Sequence, residues 1–255
     1  MAPETDVRGV FFDLYGTLLV MHDAHAAWAA WFDAFYAGLR PHGLDAARDD
    51  FARTCDGFFT RPGPAEPADN LSVYECRIRD FCTELGLHLE RRALRRLADD
   101  SASAWERHVR LDPEAHFVLE ALAPRKRLAL VSNYDHPPHV HALLRRLDLD
   151  RFFHPVVISG EVGVKKPDPA IFRMALRPAG LRADQVVFVG DSDDDVAGAL
   201  AVGATPVRIR RPAAAHNTEM GDFRAAPTSW KPPVDPPDDA AATIARLTEL
   251  LPLVQ

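Results

Sequence analysis

The chain has only three cysteines, Cys55, Cys76 and Cys82. The number is odd and no Cys-x-x-Cys pair occurs. That argues against a disulfide framework or a zinc knuckle, and a reducing compartment is the simplest expectation. Positive charge is also short: 30 Lys and Arg stand against 37 Asp and Glu, a formal net charge of −7. A sequence-independent nucleic-acid binder needs a cationic footprint that this balance does not supply. Long apolar runs are missing, because charges or prolines interrupt each one before it reaches spanning length, so no membrane partner is expected. Residues Met1 to Arg8 carry Glu4 and Asp6 ahead of any apolar segment. This is the wrong charge and order for a secretory signal, and a cytoplasmic location is expected. Gly160-x-x-Gly163 lacks the third glycine of a dinucleotide fingerprint. No Gly-x-Ser-x-Gly elbow occurs, which disfavours a serine hydrolase.

What is present is ordinary for a globular protein: 255 residues, 47% hydrophobic and 26% charged. The length suits one large domain, or a core carrying an insertion, and can bury a core without staples. Val7-Arg-Gly-Val-Phe-Phe-Asp13 reads as a buried strand, and Gly16 breaks the segment that follows it. Trp28, Trp31, Phe32 and Phe35 then recur at helical spacing within 24–40. Such a stripe is more often a unit's own core than a substrate pocket. Further helical patterns cover 72–86 and 89–108, with no convincing strand between about 21 and 112. After Asp112-Pro113, a helix start, short apolar runs at 127–133, 155–159, 185–191 and 205–209 alternate with helices at 138–147, 168–177 and 194–202. A final helix is expected at 239–251. The alternation signals βαβ units and a parallel sheet covered on both faces. The expected fold is therefore α/β, a doubly wound parallel sheet of Rossmann-like type with an all-helical insertion after the first strand. The core is assigned to 1–20 and 113–255, the helical cap to 21–112. Eight of the 21 prolines lie after residue 205. The stretch 227–237 reads as an excursion rather than another domain.

In such sheets, ligands bind beyond the carboxyl ends of the strands. Those ends carry Asp13; Ser132 and Asn133; Lys165 and Lys166; and Asp191, with Asp193, Asp194 and Asp195 in the next turn. Asp and Ser are good N-caps, and any single one is more often a cap than a catalyst. Together they offer a carboxylate nucleophile, a hydroxyl and an ammonium for an anion, and an oxygen-rich cluster for a hard cation. Those are the parts of phosphoryl transfer to an aspartate.

Four stretches carry a resemblance: Phe12-Asp-Leu-Tyr-Gly-Thr-Leu18, Leu130-Val-Ser-Asn133, Gly163-Val-Lys-Lys-Pro-Asp-Pro-Ala-Ile-Phe172 and Val187-Phe-Val-Gly-Asp-Ser-Asp-Asp-Asp-Val196. With these the sequence resembles the haloacid dehalogenase-like (HAD) hydrolase superfamily, and the insertion looks like the helical cap of its subfamily I. The resemblance implies that Asp13 is the nucleophile, that Thr17 and Ser132 hydrogen-bond the transferring group, and that Asn133 belongs to the same catalytic set. Lys166, which directly precedes Pro167-Asp-Pro169, would neutralise charge. It further implies Mg²⁺ held by Asp13, the backbone carbonyl of Tyr15 and Asp191. Asp195 would support the metal shell, with Asp194 in its place if the turn is set differently.

One position departs from the family's phosphatases. They usually carry a second aspartate two residues after the nucleophile, an acid–base group worth ~10²–10⁴-fold. Here that residue is Tyr15, as is typical of the superfamily's metal-independent 2-haloacid dehalogenases. The acidic cluster points the other way, since uncompensated carboxylates repel and a divalent cation relieves them. No arginine of the insertion stands out as a substrate-binding group; Arg40, Arg53, Arg77 and Arg79 are all open. Without the aspartate, either the leaving group needs no proton, or Asp135, His136 or a cap residue supplies one. The expected function is a Mg²⁺-dependent phosphatase of a small phosphorylated metabolite. A 2-haloacid dehalogenase is the alternative, and a catalytically weak or silent binding protein the third. His136, His139 and His141 read as surface imidazoles rather than metal ligands, and Arg91, Arg92, Arg95 and Arg96 as a solvated helix edge. Nothing in the pattern speaks to oligomeric state.

Overall fold

The computed structural model describes residues 6–60, 70–211 and 239–255. The described residues form two compact units, one of 6–21, 111–211 and 239–255, the other of 22–60 and 70–110. The proline-rich stretch 227–237 lies outside them.

The chain opens with β1 (Gly9–Phe12), whose four residues are all buried, and continues through β2 (Leu19–Met21). The helical unit follows. α1 (Ala24–Leu39) starts where the Asp23 carboxylate accepts the amide of Ala26, capping an otherwise unsatisfied donor. α2 (Arg48–Thr54) is a short helix that the periodicity did not reveal. α3 (Val73–Glu84) begins in a capping box in which Ser72 and Glu75 exchange bonds, and α4 (Arg91–Glu106) completes the unit. Trp31, Phe32 and Phe35 are buried with Phe51, Phe58, Phe81 and Leu97, so the aromatic stripe is the unit's own core. Trp28 is half-buried against Trp31, Phe59 and Trp105. The three cysteines are buried and reduced, and burial pushes the Cys82 thiol up to about 12. Arg91, Arg92, Arg95 and Arg96 are exposed.

The chain then enters β3 (Val109–Leu111), which pairs with β2 in a two-stranded sheet that sequence periodicity missed because each strand has three residues. The core continues with α5 (Ala115–Leu122), β4 (Arg127–Ser132), α6 (Pro137–Arg146), β5 (Val156–Ile158) and α7 (Ser159–Val162). After these come α8 (Pro169–Ala179), β6 (Val186–Gly190), α9 (Asp193–Val202) and β7 (Thr205–Ile209). The last strand, β8 (Ala242–Ile244), precedes a 3₁₀ helix, Leu247–Val254. The expected α-helix at 239–251 is therefore corrected. Thr243 and Ile244 pair with Arg208 and Ile209, while Pro252 has no amide for an α-helical bond and the turn tightens.

The six-stranded sheet is parallel, in the order β5-β4-β1-β6-β7-β8. β1 lies between β4 and β6, with Phe12 level with Leu130 on one side and Val189 on the other. Strand order reverses at β1, so the crevice beyond its carboxyl end is where this architecture places a ligand. α1–α4 form a helical region inserted between β2 and β3.

Candidate active site

Asp13 follows directly on β1, and its amide donates to Val189 O at 2.9 Å, continuing the strand pairing for one more residue. The carboxylate is buried. Oδ1 accepts from Lys166 Nζ at 2.5 Å, while Oδ2 is buried with no hydrogen-bond partner among the described residues. Lys166 is 3% exposed and also donates to Asp195 Oδ1 at 2.6 Å. Asp195 accepts on Oδ2 from the amide and hydroxyl of Ser192, at 3.0 and 2.7 Å, within the capping box that starts α9. One ammonium thus faces two carboxylates, and Asp191 adds a third. Oxygens of Asp13, Asp191 and Asp195 lie within 4.8 Å of one another, the one such group of potential metal ligands among the described residues.

The electrostatics follow from burial. Desolvation raises the Asp13 carboxyl to about 6; Asp195 adds to the rise and Lys166 opposes it. Asp191 is pushed well above the ordinary range, first by desolvation and then by Asp13 and Asp195. Burial works against the Lys166 charge, but the two carboxylates outweigh it and raise the ammonium. With all four groups ionised the cluster carries two uncompensated negative charges. A divalent cation with hard oxygen ligands fits this donor set, and the open Oδ2 of Asp13 points to the same group.

The remaining sequence candidates divide by what they touch. Thr17 is 0% exposed and its Oγ1 has no partner among the described residues. A buried hydroxyl left open costs ~1–3 kcal/mol, which makes Thr17 Oγ1 a candidate donor to a bound group. Ser132 is buried at the end of β4. Asn133 is spent on the backbone of Lys166: its Nδ2 donates to Lys166 O at 3.0 Å and its Oδ1 accepts the Lys166 amide at 2.8 Å. It fixes the turn that aims the lysine. Of the acids after β6, Asp195 reaches Lys166, whereas Asp193 is exposed and pairs with Arg208 at 2.9 Å, and Asp194 is exposed in the first turn of α9.

Tyr15 lies flat against Tyr134, with ring centroids 5.1 Å apart. Tyr134 stacks on His139 at 6.1 Å, and His139 on His136 at 6.2 Å. Desolvation first, and Tyr134 second, push the Tyr15 hydroxyl well above its usual value, so it remains protonated. His136 and His139 are buried in this stack rather than lying at the surface, which corrects the expectation for them. His141 does lie outside, against Glu161 at 2.7 Å.

Two residues escaped the sequence reading. Arg208, in β7, is buried, and Arg211 lies two residues beyond the strand. Arg208 reaches the Asp191 carbonyl at 3.4 Å. The signal was available: Arg208 is the one charge in a mostly apolar strand, and a buried charge is rare unless it is paired.

A family model described as haloacid dehalogenase-like hydrolase matches residues 7–203. The chain belongs to this family. The matched span includes Asp13, Thr17, Ser132, Asn133, Lys166, Asp191 and Asp195, while Arg208 and Arg211 lie beyond it. Among curated proteins, glyceraldehyde 3-phosphate phosphatase of Methanopyrus kandleri is 51% identical over 69 residues, covering 27% of this chain and 30% of that protein. Phosphoserine phosphatase of Thermus thermophilus is 38% identical over 122 residues, covering 45% and 49%. The chain thus spans less than half of either. Phosphoglycolate phosphatase of Pectobacterium atrosepticum matches more fully, 28% identical over 219 residues and covering 81% of this chain and 82% of that one. Solved structures share the fold. A HAD phosphatase from Thermococcus onnurineus has a TM-score of 0.64 at 21% identity, covering 97% of each chain. A 2-haloacid dehalogenase from Pseudomonas syringae pv. Tomato has 0.58 at 23%, again covering 97% of each. The HAD-hydrolase YfnB from Bacillus subtilis, bound to magnesium, has 0.57 at 20%, covering 97% of this chain and 98% of that one. Fold likeness alone does not choose between the two chemistries. Among the described residues, no helix is long and apolar enough to cross a membrane.

Proposed function

We propose that this chain is a Mg²⁺-dependent phosphatase of a small phosphorylated metabolite, working through an aspartyl-phosphate on Asp13. The observation that carries this reading is the state of the Asp13 carboxylate. One oxygen is held by Lys166, the other is open, and Asp191 faces it across a buried cluster with too little positive charge. A metal-independent dehalogenase has no use for Asp191, half-buried beside Asp13. The phosphatase names of the curated relatives support the same choice.

Asp13 and Asp191 would hold Mg²⁺, with the Tyr15 carbonyl as a neutral oxygen between them in sequence and Asp195 in support. The ion supplies charge neutralisation for the carboxylates and for a phosphoryl group. The chain's own residues do the rest. An Asp13 oxygen attacks phosphorus, and the bond to the leaving oxygen breaks with its electron pair going to that oxygen. Thr17 and Ser132 would donate to the phosphoryl oxygens. Lys166, aimed by Asn133 and Asp195, holds the far oxygen of Asp13 and balances charge as it moves. Water then attacks phosphorus, the P–O bond to Asp13 breaks with its electron pair returning to the carboxylate, and the water proton passes to an oxygen of the departing phosphate. No acid stands at Tyr15, so the leaving oxygen departs best as an anion that needs no proton, as from an aryl or acyl phosphate.

The test is phosphate release from p-nitrophenyl phosphate or acetyl phosphate. The expected result is turnover that chelator abolishes. Tyr15 carries the second reading, in which Asp13 attacks the halogen-bearing carbon of a 2-haloacid and halide leaves without protonation. Halide release from 2-chloropropionate, unaffected by chelator, would overturn the phosphatase. Neither activity at high enzyme concentration would leave a binding protein.

A further inference from the structure

The nucleophile loop is held by its carbonyls. Within the loop the amides are satisfied locally: Gly16 donates to Leu19 O at 2.7 Å, and Leu18 and Leu19 donate to Leu14 O at 2.9 and 2.8 Å. The carbonyls of Gly16, Thr17 and Leu18 face elsewhere, and one pair of residues takes all three. Arg211 Nη1 donates to Gly16 O, and its Nη2 to Thr17 O at 2.5 Å and to Asp112 Oδ2 at 2.7 Å. The Asp112 amide donates to Leu18 O at 2.9 Å. Both side chains of the pair are only 10% exposed. Arg211 is itself anchored from the sheet edge, since the Arg210 amide donates to Ile244 O of β8 at 2.8 Å.

A buried ion pair by itself is weak evidence of added stability, because desolvation offsets the attraction. The geometry here offers another reason for keeping it. The clamped segment contains Gly16, at φ +88°, where a Cβ would collide with the Asp191 carboxylate, and Thr17, whose buried Oγ1 is open. A planar fork that bridges successive carbonyls fixes a peptide's position and tilt better than a single point charge would. We infer that Arg211, held by Asp112, is a positioning residue that sets the Gly16–Thr17 segment against Asp191 and so places the Thr17 hydroxyl for the transferring group. This rests on the phosphatase reading for its catalytic meaning. The clamp itself does not.

Thermal, kinetic and exchange readouts test it in the whole chain. Arg211→Met removes the fork and leaves Asp112 buried without its counter-charge, so both the thermal midpoint and kcat should fall. Arg211→Met combined with Asp112→Asn removes the stranded charge while keeping the Asp112 oxygen that accepts the Glu114 amide at 2.8 Å. The double variant should regain most of the thermal midpoint but not kcat, which stays about 10²-fold low with KM for p-nitrophenyl phosphate little changed. Arg211→Lys should rescue kcat in part. Hydrogen exchange gives the activity-free readout: amides of 16–19 should exchange about tenfold faster or more in the double variant, while those of β6 keep their protection. If kcat returns together with the midpoint, or if exchange over 16–19 is unchanged, the positioning role is overturned. If the wild-type protein releases no phosphate, the phosphatase reading falls, and the exchange result still decides whether the clamp exists.

Discussion

The two units bury polar groups to opposite ends. In the helical unit, those around Trp31 are used up on one another. Trp31 Nε1 donates to the Tyr74 hydroxyl at 2.7 Å, that hydroxyl meets Ser101 Oγ at 2.7 Å, and Ser101 reaches Leu97 O at 2.7 Å. In the core, at the carboxyl end of β1, Asp13 Oδ2 and Thr17 Oγ1 are left open, and three carboxylates crowd one ammonium. A satisfied network specifies a shape, whereas an open and overcharged one is a site awaiting a ligand. Substitutions in the two places should therefore fail differently.

The largest effect is expected at Asp13. Asp13→Asn should lower kcat on aryl phosphates by on the order of 10⁴-fold or more, with the fold intact by circular dichroism. Retained turnover would remove the nucleophile assignment and with it the contrast between the units. Phe35→Ala is the counterpart in the helical unit. Phe35 is fully buried and its ring lies within 6.0 Å, centroid to centroid, of those of Trp31, Phe51, Phe58 and Phe81. Its loss should cost about 3–5 kcal/mol in denaturant unfolding. A cost under 1 kcal/mol would mean this aromatic core is not what holds the helices together.

How much of this was legible depended on the length of each signal. The central strands could be read because β1, β4 and β6 are buried on both faces, and their apolar runs end in the residues that form the site. α1, with Trp31, Phe32 and Phe35 on one face, was equally plain. β2, β3 and β8 have three residues each, too few for any period to show, and their pairing is decided by neighbours distant in sequence. Asp13, Lys166 and Asp195 were assigned from motifs, and the folded chain brings them together. The work of Asn133, turned to the Lys166 backbone, and of Arg211, turned to three residues' worth of loop and linker, depends on tertiary direction that no spacing encodes. Tyr15 was visible as a departure, but its stacking on Tyr134 was not.

Tyr15 can be used to sharpen the contrast. Tyr15→Asp places a carboxyl two residues from the nucleophile and removes a ring from the stack with Tyr134, His139 and His136. Turnover of alkyl phosphates, whose leaving oxygen needs a proton, should rise by about 10²-fold, with little gain on p-nitrophenyl phosphate. An equal gain on both would show that Tyr15 limits access rather than protonation. No gain on either would mean that another group already supplies the proton.

The smallest effect is a dependence of metal stabilisation on pH. Asp13 is raised from 3.8 to about 6 in the folded protein, and Asp191 is raised as well. A carboxyl raised on folding favours the folded state while it is protonated. That contribution is full below its unfolded value and is lost as pH rises through about 6. In chelator, then, this site weakens the protein as pH climbs past that point. Mg²⁺ binds the same oxygens only when they are ionised, and it stabilises the folded state through its affinity for that state. The gain in thermal midpoint on adding Mg²⁺ should accordingly be near zero at about pH 5 and reach several degrees at about pH 8. Asp191→Asn should flatten that difference by removing a ligand and a source of repulsion together, and it should also raise the midpoint in chelator at the higher pH. The Phe35→Ala protein, although far less stable, should keep the full magnesium gain. If magnesium instead stabilises equally at both pH values, the carboxylates do not bear the charge assigned to them. If Phe35→Ala abolishes the gain, the open, overcharged end of β1 is not independent of the closed network in the helices.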